Sequence, residues 1–192
     1  MASTSSYRRA LLARVYSSFR WVSPGVDEQA RAGESARMLV TRLARDKARA
    51  VAALNPDAWV IGSDQAAVLL DAFQQERILG KPGTPARCME QLRSCSGKTV
   101  SYLTGVAVVR RSAQAELAFV DTTRVTFRNL DETTIERYVA RESPLDCAGG
   151  FKSEGLGIAL CVSIDNDDPS ALIGLPLIRL CAVLRDLGFD IP

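Results

Sequence analysis

The sequence predicts an α/β fold of the mixed α+β kind, with helices flanking a central mixed sheet. Two patterns along the chain predict it. Helical and extended segments alternate through the first half, and consecutive β-rich segments fill the middle. A chain of 192 residues with 47% hydrophobic and 24% charged residues has enough apolar material for one large domain, or for one domain with two lobes.

Arg9 to Phe19 reads as a short helix because Leu11, Leu12, Val15 and Phe19 recur at helical spacing. Ser23, Pro24 and Gly25 mark a loop that ends in Asp27 and Glu28. From Ser35 to Leu54 the helical pattern is strong. Met38, Leu39, Leu43, Ala44, Ala48, Val51 and Ala52 share one side, and Arg42, Arg45, Asp46 and Arg49 the other. Asn55-Pro56-Asp57 stops that helix. AWVI (58–61) reads as a short buried strand running into Gly62, Ser63, Asp64 and Gln65. Residues 66–79 have room for a second strand and a turn, GKPGTP (80–85) reads as a loop, and Pro85 to Leu92 as a helix. TVSYLTGVAVV (99–109) alternates as a strand does, and Ala115 to Phe127, rich in Val, Thr and Phe, gives one or two more. Asp131 to Arg141 is a helix with an acidic cap. GIALCVSI (157–164) reads as a strand, Asp168-Pro169 as a capped helix start, and Leu177 to Leu187 as a final helix ending at Gly188.

Composition excludes several chemistries. The chain has no histidine, which removes Ser-His-Asp and Cys-His catalysis and argues against structural zinc and haem sites. Acid–base or metal chemistry must then use carboxylates, lysine, tyrosine or water, and the matching metals are hard ions such as Mg²⁺ or Mn²⁺. A net charge of +2 provides no bulk basic field for nucleic acid. No apolar run reaches the ~18 residues that span a bilayer, and no secretory leader is evident, so neither membrane nor nucleic acid is an expected partner. The five cysteines (Cys88, Cys95, Cys147, Cys161 and Cys181) form no CxxC pair and read as free, mostly buried thiols of a cytoplasmic protein.

Three motifs fail on inspection. SCSGKT (94–99) ends like a phosphate-binding P-loop, but Leu92 stands where its first glycine is required and a strand follows instead of a helix. IDNDDPSA (164–171) has an acidic look, but counting from Asp165 puts Ser170 and Pro176 where a calcium loop needs Gly and Glu. CAGGFKSEGLG (147–157) has its GxG before a strand and not after one. By pattern alone it reads equally as a ligand loop and as a flexible turn.

The charged residues that remain are Arg8 and Arg9 at a helix start, Asp27 and Glu28 closing a loop, Lys47 within the long helix, Asp64 after WVIG, Lys81 between Gly80 and Pro82, and Lys152 with Glu154 in the glycine loop. Asp64 differs from the rest because a carboxylate beside a buried strand end sits where α/β folds place ligands.

Together, ASTSSYRRALL (2–12), GVDE (25–28), RLARDKA (42–48), VIGSDQ (60–65), ILGKP (78–82), SGKTVSYLTGVAV (96–108), VTFRNL (125–130), CAGGFKSEGLGI (147–158) and DDPSALIGLPL (167–177) resemble the Maf-like nucleotide pyrophosphatases, and within them the branch acting on 7-methyl-GTP. These stretches run in order over almost the whole chain. The chain departs in having Ser6 where the family usually has Pro, and in having only Met1 before the AST stretch. The family's first strand is therefore either shortened here or begins upstream.

The resemblance implies one Maf-like domain over 1–192, with a deep cleft between two lobes. It implies hydrolysis between the α and β phosphates of a nucleoside triphosphate, to the monophosphate and pyrophosphate. It gives Asp64 as proton acceptor, and Arg8, Lys47, Lys81 and Lys152 on the phosphates. Glu28 and Asp64 fall to a divalent metal, Mg²⁺ or Mn²⁺, and Tyr7, Gln65 and Glu154 surround the base. In the branch acting on thymidine and uridine triphosphates those last three are typically Arg, Thr and Gln. The change suits a base made cationic by N7-methylation. A tyrosine face attracts it by about 0.5–2 kcal/mol, and a carboxylate accepts charge-assisted bonds from the guanine edge. The expected partner is the small nucleotide, and family members often form homodimers. Two alternatives carried from the resemblance are a nucleotide-binding regulator of septum formation and the same hydrolysis on another non-canonical purine.

Overall fold

Capping residues set the helix limits. The computed structural model describes residues 1–192, with α1 at Ser6–Val15, α2 at Ala36–Leu54, α3 at Pro85–Cys95, α4 at Glu132–Glu142, α5 at Pro169–Ile173 and α6 at Leu177–Asp186. Five of the six begin at a side chain that accepts a hydrogen bond from the first turn: Ser5, Ser35, Thr84, Asp131 and Asp168. The strands are β1 (Val60–Leu70), β2 (Glu76–Leu79), β3 (Thr99–Arg110), β4 (Ala115–Phe127) and β5 (Cys161–Asp165). They form one five-stranded antiparallel sheet in the order β2-β1-β3-β4-β5. Parallel pairing enters at Ala2, which bridges Gly62 and Val22. Its amide donates to Ile61 O at 2.8 Å, where a first strand is expected.

Three expectations need correction. The helix expected from Arg9 to Phe19 runs Ser6–Val15, because Ser5 caps it early and Tyr16 is already extended. The short strand expected at 58–61 extends through Gly62, Asp64 and Gln65 to Leu70, so Asp64 lies inside β1 and not after it. The strand expected at 157–164 begins only at Cys161, because Leu156–Leu160 winds into a 3-10 turn.

The chain forms two compact units. The first comprises 1–65, 104–121 and 168–192, and the second 66–103 and 122–167. In the first unit, alternation along the strands separates two apolar clusters. Ile61, Val106 and Val108 pack with Leu11 and Leu12 of α1 and Leu180 and Leu184 of α6. Val60, Ala107 and Val109, on the opposite faces, pack with Ala44, Ala48, Val51 and Ala52 of α2. The second cluster is built from small side chains because α2 lies directly against the strands. A Cβ on Gly62 would overlap the Ala44 carbonyl oxygen, and one on Gly105 would overlap the Val40 carbonyl oxygen.

The second unit has its own buried set. Cys88, Leu92 and Cys95 of α3, Ile135, Tyr138 and Val139 of α4, and Val100, Tyr102, Val125 and Phe127 of the strands are all buried. Phe151 stacks edge-on against Phe127 with ring centroids 5.1 Å apart, and tilts against Tyr102 at 5.8 Å.

Candidate active site

The same alternation decides which way the residues of β1 point. Val60 and Gly62 face α2, so Asp64 does too. The close approach that Gly62 permits at Ala44 and Ala48 also brings Lys47, which lies between them on α2, to Asp64. Its Nζ lies 2.7 Å from Asp64 Oδ1 and 2.7 Å from Glu28 Oε1. The Lys47 side chain is only 5% exposed and that of Asp64 only 12%, whereas that of Glu28, on its loop, is 58% exposed. A buried ammonium is thus shared by two carboxylates, one deep and one open to solvent.

The other face of β1 holds Ser63 and Gln65 against the segment after β5. Ser63 Oγ donates to Gly174 O at 3.2 Å, and Arg8 Nε donates to the same oxygen at 2.9 Å. Asp168 builds this wall: Oδ1 accepts from the Ser170 amide at 2.9 Å and Oδ2 from the Ile178 amide at 2.7 Å, tying the starts of α5 and α6 together. Burial pulls the Arg8 guanidinium below its ordinary value, and the negative charges of Asp64 and Glu28 oppose that pull. The Gln65 amide nitrogen is committed to Thr104 Oγ1, Ala171 O and Leu172 O at 3.0–3.1 Å. All three can accept, which fixes the amide orientation and leaves the carbonyl oxygen as the end able to meet a ligand.

In the second unit the glycine loop is fastened at each end. The Gly149 amide donates to Gly80 O at 3.2 Å, joining it to the loop that carries Lys81. Gly149 and Gly150 have φ of 67° and 63°, which favours glycine, and a Cβ on Gly150 would sit 2.5 Å from Cys88 Sγ. At the far end Glu142 accepts from the Leu156 amide at 2.7 Å and pairs with Lys152 Nζ at 2.8 Å, and the Lys152 amide donates to Tyr138 Oη at 3.0 Å. The Lys152 ammonium and the Leu156 amide hold the Glu142 carboxyl below its ordinary value. Glu154 and Lys81 are exposed. The ligand-loop and flexible-turn readings thus meet in a loop braced by α3 and α4, with one acidic side chain on its open side.

The Maf-like protein family matches residues 1–187. The chain belongs to the Maf-like family. It is 54% identical to a 7-methyl-GTP pyrophosphatase of Alkalilimnicola ehrlichii, over the whole of this chain and 94% of that one. It is 51% identical to a protein of the same name from Pseudomonas aeruginosa and 52% to one from Xanthomonas axonopodis pv. citri, each over the whole of this chain and 97% of the relative.

Within this Maf-like chain the first unit brings Arg8, Glu28, Lys47 and Asp64 into one electrostatic neighbourhood, with Gln65 on the reverse face of the strand and half-buried Tyr7 in the first turn of α1. Lys81, Lys152 and Glu154 belong to the second. Ser63, Asp168 and Glu142 were missed as site builders by sequence reasoning. Asp168 had a signal, the Asp-Pro cap, but Glu142 ends a helix without any mark that it will reach a loop fourteen residues on to bond the Leu156 amide.

The donor set fits a hard divalent cation. Glu28 and Asp64 are the two carboxylates that could hold it, and they lie near each other, each 2.7 Å from the Lys47 ammonium between them. The donors are all oxygen, and two carboxylates completed by water and phosphate suit Mg²⁺ or Mn²⁺ better than a soft metal.

Proposed function

We propose that the chain hydrolyses 7-methyl-GTP to 7-methyl-GMP and diphosphate in the cytoplasm, keeping the modified nucleotide out of nucleic acid. The observation that carries the reading is the buried contact of Lys47 with Asp64 in a chain whose full-length relatives at about half identity bear that activity's name. Asp64 Oδ1 is held by Lys47, which leaves Oδ2 to take the proton from a water attacking the phosphorus. The bond broken is that between the phosphorus attacked and the oxygen bridging the α and β phosphates, and the electron pair leaves with pyrophosphate. Arg8, Lys47, Lys81 and Lys152 balance the charge that accumulates there. Lys152 is set in its loop by Glu142. Glu28 and Asp64 would hold Mg²⁺ or Mn²⁺, which when bound supplies Lewis-acid neutralisation of the phosphates.

At the other end of the substrate, Tyr7 offers a ring face to the cationic base. Glu154 accepts from its N1–H and amino group, and Gln65 presents its carbonyl oxygen.

The test is product identification with Mg²⁺ present. The chain should yield 7-methyl-GMP and diphosphate. Asp64→Asn, which keeps the shape and removes the base, should lower kcat by about 10²–10⁴-fold. Release of 7-methyl-GDP and phosphate, or full activity in the variant, would refute the assignment.

A further inference from the structure

Glu28 raises a physical problem. It is an exposed carboxylate on a segment without helix or strand, yet it meets a buried ammonium at 2.7 Å. Holding a loop side chain in one geometry costs rotamer and backbone entropy that an open ion pair rarely offsets. The contacts that shape the loop therefore bear directly on where Glu28 lies.

We propose that Arg42 is a positioning residue for Glu28, clamping the loop of residues 27–34 onto α2 so that the carboxylate arrives at Lys47. This rests on the role given above to Glu28. The contacts of Arg42 are unusually complete. Nε donates to Glu34 Oε1 at 2.7 Å and Nη2 to Glu34 Oε2 at 2.8 Å, a two-pronged pairing. Nη2 also donates to Gln29 O at 2.9 Å, the carbonyl immediately after Glu28. Nη1 reaches Asp46 Oδ2 on its own helix at 3.5 Å. One planar group therefore grips both ends of the loop and its own helix together, which a lysine could not do.

The loop is shaped to receive it. Glu34 Oε2 also accepts from the Arg31 amide at 3.0 Å, and Asp27 Oδ1 accepts from the Gln29 amide at 3.0 Å, so each end is turned before Arg42 joins them. The side chains of Glu34 and Arg42 are only 6% and 15% exposed, much less than that of Glu28 itself. Arg42 holds the Glu34 carboxyl down at about 2, so the pair stays ionised through any working pH. Arg42 touches neither Lys47 nor Asp64 in these bonds, so its effect on the reaction passes through the loop.

Outer partners of this kind typically shift metal affinity or activity by about 10–100-fold. Two readouts test the clamp. One is Mn²⁺ binding to the purified chain with a non-hydrolysable nucleotide, followed by electron paramagnetic resonance. The other is tryptic cleavage after Arg31, located by mass spectrometry. Arg42→Ala should weaken Mn²⁺ binding about tenfold or more and speed the cut after Arg31, with Arg42→Lys and Glu34→Gln intermediate. In a Glu28→Gln background Arg42→Ala should weaken Mn²⁺ binding no further. An additive loss in the double variant, or Mn²⁺ binding and cleavage unchanged in both Arg42→Ala and Glu34→Gln, overturns the clamp. If Glu28→Gln alone leaves Mn²⁺ binding unchanged, the role of Glu28 is wrong and the inference falls with it. A shift in Glu28→Gln with none in Arg42→Ala overturns the inference alone.

Discussion

Lys47 is a charged side chain whose removal strands a buried partner. Replacing it by Met leaves the Asp64 carboxylate, only 12% exposed, without its buried partner, and stranding such a charge costs about 3 kcal/mol or more. Urea unfolding at neutral pH should show that loss. Glu28→Gln, at an open position, should cost less than about 1 kcal/mol. Equal losses would mean that the buried pair is not what holds this end of β1. The sequence marked Lys47, Asp64 and Glu28 by motif. It did not mark their mutual contact, which depends on how close α2 comes to the strand. Gly62 was read as the end of a strand, a fair inference from a residue that weakens β-structure. Its actual use is to admit the backbone of α2 at Ala44 and Ala48.

At the scale of elements, that approach predicts that Gly62→Ala pushes α2 outward, because the new Cβ overlaps backbone and has no flexible side chain to displace. A loss of about 1–3 kcal/mol or more by denaturant unfolding is expected, with lowered activity because Lys47 rides on α2. A neutral result would mean that the helix has slack. The loop clamp gives a pH dependence. The Glu34 carboxyl sits at about 2 in the fold against an ordinary 4.5. Its contribution is therefore complete above about pH 4.5 and is lost as the pH falls toward 2. Unfolding measured at pH 7 and pH 3.5 should show a stability gap between the chain and Glu34→Gln that narrows on acidification. A gap that widens would contradict the pairing. Helix starts were legible because Ser35, Thr84, Asp131 and Asp168 are local signals. The length of β1 was not, since AAVLL (66–70) is a continuous apolar run that periodicity cannot assign. The 3-10 turn at Leu156–Leu160 escaped for the same reason: its apolar residues carry no period that separates it from the strand it enters.

For the whole molecule, the fold class was readable from the chain, because alternation, caps and motif order are local. The parallel pairing of Ala2 with Gly62, the wall raised by Asp168 behind Arg8 and Ser63, and the brace from Glu142 to the glycine loop are long-range, and no local pattern encodes them. The absence of histidine leaves carboxylates and lysines to do the chemistry, and the structure buries Asp64 beside the Lys47 ammonium. On the proposed reading, discrimination for the methylated base rests on the Tyr7 ring face and the Glu154 carboxylate, each favouring a cation. The most direct measurement is kcat/KM for pyrophosphate release from 7-methyl-GTP, GTP and dTTP by the purified chain with Mg²⁺. A preference for 7-methyl-GTP over both by at least about tenfold is predicted from the cation–π and charge-assisted contacts. Equal values on all three, or a preference for GTP or dTTP, would contradict the account.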